Sequence, residues 1–166
     1  MPRKTFLQRL DELVRWTGIP VIAAQEQRRR RLFVAPIVAL LLATGGLVYC
    51  LAHPAGYFLG YAFLMFGFAI SNFMPLLGPV IPGGSTHRLD ERERALRRSA
   101  YLVGLAAVGV ASFAGLWLLV IVASLGALSL EQLVRDLASL AFYLMSLHGA
   151  VPTLWASWRT PPLADE

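Results

Sequence analysis

The hydrophobic pattern of the chain consists of long apolar stretches that no charged side chain interrupts. Residues 32–87 contain no Asp, Glu, Lys or Arg, and residues 99–130 form a second stretch of the same kind. A helix needs about 20 apolar residues to cross the ~30 Å hydrocarbon layer of a bilayer. Because the stretches are continuous rather than alternating, they predict transmembrane helices and not the strands of a closed barrel.

Polar and turn-forming segments divide these stretches into four predicted spans. The segment 53–56, with the sequence His-Pro-Ala-Gly, separates the first span from the second, and the charged segment 88–98 separates the second from the third. A short connection containing Glu131, Arg135 and Asp136 precedes the fourth. The predicted spans cover approximately residues 32–52, 57–77, 99–125 and 137–158, so that 32–158 is one four-helix bundle and 159–166 is a short tail.

The first 31 residues form a separate region, which we predict to be an amphipathic helix. Apolar side chains recur there at helical spacing, and charged side chains occupy the other faces. A helix of this kind lies in the membrane interface. The apolar positions are Phe6, Leu10, Leu13 and Val14, and the charged positions are Arg9, Asp11, Glu12 and Arg15. The fold class expected for the chain is therefore all-α, an integral membrane four-helix bundle with an N-terminal interfacial helix.

The composition indicates that the chain lies in lipid, and the distribution of charge indicates its orientation in the membrane. Of all residues, 57% are hydrophobic and 15% are charged, whereas soluble domains carry roughly a quarter charged residues. If the N-terminus is cytoplasmic, 14 of the 15 cations lie on the inner side, and Arg135 alone lies outside. The positive-inside rule thus predicts that both termini lie in the cytoplasm. The membrane that we expect is a bacterial inner membrane. Since the net charge of +5 comes with no groove-reading or RNA-binding motif, no nucleic acid is expected as a partner.

The charged segment before the third span has two interpretations. Asp90 and Glu93 have the spacing of a capping box, which makes the segment a cytoplasmic extension of the third helix. Alternatively, its cations form a docking surface for anionic lipid head groups or an acidic partner. The cations concerned are Arg92, Arg94, Arg97 and Arg98.

The same segment carries a resemblance to a known group of proteins. Asp90-Glu91-Arg92, with Arg97 and Ala100, runs directly into an apolar span. This arrangement resembles the D-E-R motif of small bacterial multi-spanning membrane proteins of the DUF2178 type. The resemblance covers about a dozen residues and the number of helices, and it implies a bacterial membrane protein without implying an activity.

His148 is the candidate for binding a cofactor. It lies near the middle of the fourth span, where ionisable groups are costly and often functional. Pro152, four residues later, cannot donate an amide to the carbonyl of His148, so this acceptor is left free. The functional interpretations are an axial ligand to a haem or a chlorophyll-type pigment, a hydrogen bond to a quinone, or a proton relay. The structural interpretation is a neutral histidine that is hydrogen-bonded across the bundle.

A second candidate is the inner end of the second span, from Asn72 to Pro82. Pro75, Pro79 and Pro82 predict that the helix is broken there, and a broken helix exposes carbonyls that transporters use to hold ions. The chain would then be a small channel or transporter, with Asn72, Pro75 and Pro79 on its pathway. The alternative is a helix end made rigid by proline.

Small residues recur at every fourth position in two of the spans, which allows close helix approach. These stripes hold the bundle together or bind other membrane subunits or a second copy of the chain. They comprise Ala35, Ala39 and Ala43 in the first span and Ala107, Ala111 and Gly115 in the third.

The sequence contains none of the common catalytic motifs: no CxxC, HExxH, GxSxG or phosphate-cradling Gly-Lys motif. Its single cysteine, Cys50, cannot form an intrachain disulfide. The function expected first is therefore a non-catalytic accessory or scaffold subunit that packs against other membrane proteins. A cofactor-binding subunit that uses His148 is the next hypothesis, and the channel or transporter is the third.

Overall fold

The structure, a computed structural model, describes residues 33–79, 91–126 and 128–160. These residues form four helices, α1 (Val34–Ala52), α2 (Tyr57–Leu77), α3 (Glu91–Ser124) and α4 (Leu130–Arg159), and a 3-10 turn at Pro54–Gly56 joins α1 to α2. No strand occurs in the described residues. All four helices are long and apolar enough to cross a membrane, which confirms the predicted all-α membrane bundle. The interfacial helix predicted for residues 1–31 lies outside the described residues.

The outward surface of the bundle is apolar. Phe58 on α2 is 87% exposed, and Val110 and Phe113 on α3 are 71% and 69% exposed. Water would make such a continuous apolar surface a site of aggregation, since large apolar patches on soluble proteins are rare. Lipid chains solvate the same surface at no cost. The outward faces of the helices therefore agree with a multi-pass membrane protein.

The helices α1 and α2 form a close antiparallel hairpin because small residues meet along it. Ala39 and Ala43 are completely buried, and both lie against Gly67. Nearer the turn, Gly46 lies against the backbone of Gly60 and Leu64. Contacts between small residues replace the missing hydrophobic driving force in lipid, since they bring two backbones within van der Waals distance.

The central element is α4, which packs against α1, α2 and α3. Most of its buried residues are small, which lets three helices approach it closely. By contrast, α3 packs chiefly against α4, and its buried residues are Ala100, Gly104 and Leu119. The small buried residues of α4 are Ser139, Ser146, Gly149, Ala150, Thr153, Ala156 and Ser157.

The helix α2 has the bounds of its predicted span, whereas α3 and α4 begin several residues before theirs. A capping box starts α4 at Leu130: the Gln132 amide donates to the Ser129 hydroxyl, and the Ser129 amide donates to the Gln132 side chain. The prediction that Glu131, Arg135 and Asp136 lie in a connection is wrong, because this cap closes the first turn before them and they occupy helical positions. The charged residues from Glu91 onward are part of α3, which agrees with the interpretation of this segment as an extension of the third helix.

The predicted break between Asn72 and Pro82 begins later than expected. Regular helix continues through Pro75 to Leu77, and the chain becomes extended at Gly78, whose amide donates to the Met74 carbonyl. The prediction of a broken helix is therefore wrong at Asn72 and Pro75. Proline is tolerated within this helix because neighbouring helices cover the carbonyl that it leaves without a donor.

Candidate ligand-binding cleft

A cleft of about 370 Å³ lies between α2, α3 and α4. Both α2 and α3 pack on α4, but the two have little contact with each other, and the space between them remains open at the side of the bundle. Asn72 and Pro75 of α2 form one wall, and Tyr101 and Val108 of α3 form the other. The floor is the stretch of α4 from Leu144 to Thr153, which includes His148.

His148 lies in this cleft, near the middle of α4. It is 11 residues from Arg159 and 13 from Arg135, which places it roughly 17 Å and 20 Å from these cations along the helix axis. Its side chain is exposed to the cleft. Within the described part of the chain, no residue forms a hydrogen bond with its ring. The predicted alternative, a histidine hydrogen-bonded across the bundle, is therefore not what the described residues show.

Two prolines inside helices line the same cleft, and each leaves a carbonyl without its helical donor. Pro152 lacks the amide that the carbonyl of His148 would accept, and Pro75 lacks the amide that the carbonyl of Ser71 would accept. The Ser71 carbonyl lies directly against Gly149, where a Cβ would overlap it. This close approach covers the Ser71 carbonyl with the backbone of α4. The two sites that the sequence suggested separately, His148 and the Asn72–Pro75 segment, therefore form one cleft.

The remaining polar side chains of the cleft differ in whether they have partners. Asn72 Nδ2 donates to the Phe68 carbonyl at 2.8 Å, and Thr153 Oγ1 donates to the Gly149 carbonyl at 3.2 Å. Both groups are satisfied within their own helices, as polar groups in lipid usually are. The Tyr101 hydroxyl, like the His148 ring, forms no hydrogen bond with any residue that the structure describes. The cleft thus offers two unused hydrogen-bonding groups on mostly apolar walls.

The lining of this cleft offers groups that can bind an apolar molecule. Its walls carry an imidazole, a phenol, an amide and a hydroxyl, and no charged side chain belongs to its described lining. An apolar molecule can enter from the bilayer, and the free groups can orient it by hydrogen bonds. The imidazole is also a potential axial ligand for a metal held by a tetrapyrrole. Among the described residues, no group of three metal-binding side chains could hold a bare metal ion.

The other residues singled out by the sequence lie outside the cleft. Pro79 follows the end of α2 and is half-buried, and the cations of the charged segment occupy the first turns of α3, where Arg92, Arg94 and Arg98 are exposed and Arg97 is half-buried. Ala107 and Ala111 are half-buried on α3, and Gly115 lies against Leu140 of α4. The structure thus brings together Asn72, Pro75 and His148 and separates them from the other candidates.

A polar cluster at the opposite end of the bundle was not predicted. The Tyr57 hydroxyl lies 3.1 Å from Ser139 Oγ and donates to the Arg135 carbonyl at 3.3 Å. The guanidinium of Arg135 lies 5.4 Å from the centre of the Tyr57 ring. Asp136 is 8% exposed, and the buried thiol of Cys50 donates to the Tyr57 carbonyl. This cluster joins α1, α2 and α4 at their shared end, so its visible role is structural.

Tyr101 is the residue of the cleft that sequence reasoning missed. Its position at the start of an apolar span is typical of an interfacial anchor, and nothing else in the sequence indicates that it also lines a cleft.

Comparisons with family models, with curated proteins and with solved structures gave no match to this chain. The function must therefore be argued from the cleft itself.

Proposed function

We propose that this chain is a non-catalytic accessory subunit of a bacterial inner membrane that binds a lipid-soluble ligand in the cleft beside His148. The observation that carries this proposal is the His148 ring, which lies in a laterally open apolar cleft without a partner among the described residues. The ligand would enter from the bilayer, and the subunit would hold it for other membrane proteins. The charge distribution supports cytoplasmic termini.

The physical reason is the cost of an imidazole in hydrocarbon. A polar group transferred from water to an apolar medium without a hydrogen bond costs roughly 2–7 kcal/mol, depending on the reference state. Nothing in the described part of the bundle offsets this cost for His148, and replacement by an apolar residue would remove it. A ligand that accepts a hydrogen bond from the ring, or whose metal the ring coordinates, offsets this cost and explains why a histidine occupies the position.

The first experiment measures what the protein retains on purification. The wild type and His148→Leu are extracted in a mild detergent and analysed by native mass spectrometry and by organic extraction. We expect a lipid-soluble compound to accompany the wild type and to fall at least severalfold in His148→Leu. His53→Leu is the matched control, since His53 lies in the exposed turn between α1 and α2 and stacks on Tyr49. Equal retention in all three proteins would contradict a role for His148 in binding.

A tetrapyrrole is the second candidate ligand, and the imidazole in the cleft is the observation that favours it. The visible spectrum of the same preparations separates this candidate from a colourless ligand. An intense band near 400 nm, of the kind that bound tetrapyrroles give, would be lost in His148→Leu and retained in His53→Leu. A colourless wild-type protein would exclude a tetrapyrrole as the ligand and would be consistent with a colourless lipid-soluble ligand.

A further inference from the structure

The positions of the two unused hydrogen-bonding groups restrict the ligand further. His148 belongs to α4 and Tyr101 to α3, so the groups lie on two different walls of the cleft. A Cβ at Gly104 would lie 2.5 Å from Pro152 Cγ, which fixes the register of the two antiparallel helices. Counting from this contact, the Cα atom of Val108 is level with that of His148, and the Cα atom of Tyr101 lies about two turns, or ~10 Å, further along the axis toward the N-terminus of α3.

A ligand with two hydrogen-bond acceptors on opposite sides of an apolar body can satisfy both groups. The Tyr101 hydroxyl donates one hydrogen bond, and a neutral imidazole donates one from a single ring nitrogen. Each hydrogen bond adds about 2.8 Å between heavy atoms, and the two side chains lean toward opposite ends of the bundle, so the body between the acceptors is at least one ring in size. No cation in the described lining favours a phosphate or carboxylate head group.

We propose that the ligand is a para-quinone with an apolar tail, bound with one carbonyl oxygen accepting from the His148 ring and the other from the Tyr101 hydroxyl. This assignment rests on the proposed function and names its ligand class. The quinone ring fills the cleft between α2 and α3, and the tail leaves through the lateral opening into the bilayer. The Asn72 amide donates to the Phe68 carbonyl. Asn72 therefore forms part of the cleft wall and donates no hydrogen bond to the quinone.

The test is a titration with two probes that share a tail. The purified protein in mild detergent is titrated calorimetrically with decyl-benzoquinone and with decylbenzene, which lacks both carbonyls, and partition into empty micelles is subtracted. We expect saturable binding of the quinone only. His148→Leu and Tyr101→Phe should each raise the Kd roughly fivefold to tenfold, as the loss of one hydrogen bond implies.

Two matched variants control for general damage. Tyr143→Phe removes a hydroxyl from α4 whose partner is Thr44 rather than the cleft, and His53→Leu removes a histidine from the exposed turn. Both should bind the quinone with the Kd of the wild type. Because Tyr101→Phe keeps the ring and the packing, a loss of affinity in this variant reports on the hydroxyl alone.

The outcomes separate this inference from the proposed function. If decylbenzene binds as tightly as the quinone, or if Tyr101→Phe leaves the Kd unchanged, the quinone assignment is overturned, although ligand retention that depends on His148 would still stand. Saturable haem binding that is lost in His148→Leu, without quinone binding, overturns it as well. Quinone binding that both cleft variants weaken and both controls preserve supports it.

Discussion

Two adjacent glycines of α1 show how closely the backbones of this protein approach. A Cβ at Gly46 would lie 2.5 Å from the Leu64 amide nitrogen and 2.6 Å from the Gly60 carbonyl oxygen. A Cβ at Gly45 would meet no atom of the described residues within 4 Å. The same residue type therefore has opposite roles at neighbouring positions: Gly46 is required by packing, and Gly45 is not.

Alanine substitutions at these two positions should change stability in opposite directions. In Gly46→Ala, the new methyl group meets backbone atoms that cannot rotate away, so we expect a loss of about 1–3 kcal/mol in the free energy of unfolding. In Gly45→Ala, alanine restricts the unfolded chain and favours the helix, so we expect a gain of up to about 1 kcal/mol. Unfolding by increasing SDS in mixed micelles, followed by circular dichroism, measures both. Equal effects of the two substitutions would show that the α1–α2 contact is looser than described.

At this scale, the sequence predicted residue types better than it predicted their neighbours. His148 and Pro152 were recognisable because an ionisable group and a proline are unusual in an apolar span. Their proximity to Asn72 and Pro75 was not, because it depends on α2 and α3 both packing on α4. The place of Tyr101 in the cleft could not be predicted for the same reason. The spacing of residues along one helix predicts which face each residue lies on. Which residue of another helix it contacts depends on tertiary packing.

The distinctive element is α3, the longest helix and the one with the fewest buried residues. It is attached to the bundle through α4, where Gly104 lies against Pro152 and Gly115 against Leu140. The rest of its surface, including Leu105, Val110 and Phe113, is exposed. Its position therefore depends on a few close contacts, and these contacts also set the width of the cleft.

Substitution of Gly104 should loosen α3 without unfolding the hairpin of α1 and α2. In Gly104→Ala the methyl group would meet the rigid ring of Pro152, and we expect faster amide hydrogen exchange in α3 with unchanged exchange in α1. The control is Gly109→Ala, since a Cβ at Gly109 would meet no described atom within 4 Å, and it should exchange like the wild type. Hydrogen exchange read by mass spectrometry of peptic fragments distinguishes the helices. Uniformly faster exchange in all four helices would mean that α3 is not an independent unit.

The elements themselves were predictable because lipid imposes a simple rule on the chain. Apolar stretches must be helical throughout, so their number and approximate positions followed from the absence of ionic side chains. The bounds of α2 followed as well, but the start of α4 did not, because it depends on capping rather than on the membrane. The cap at Ser129 begins α4 well before its apolar span, whereas the charged residues at the start of α3 had been predicted as an extension of the third helix. A helix and a membrane span are different segments, and the sequence pattern reported only the second.

At the scale of the whole molecule, the cation distribution predicts which side each helix end faces. With Cys50→Ser as the background, a cysteine in place of Leu130, which is 79% exposed, should react with an impermeant maleimide added to intact cells. A cysteine in place of Ala95, which is exposed near the start of α3, should react only after permeabilisation. The reverse labelling pattern would show that the topology is inverted and would contradict the positive-inside assignment.

The central position of α4 has a consequence for synthesis at the ribosome. The hairpin of α1 and α2 can close as soon as both have entered the bilayer, since the two helices pack against each other. The helix α3 is made next, yet the surface that it packs on is made last. During the interval it is surrounded by lipid or held by an insertion factor, and a stop codon placed before Ser129 would leave α3 as a substrate for membrane proteases while the hairpin survives.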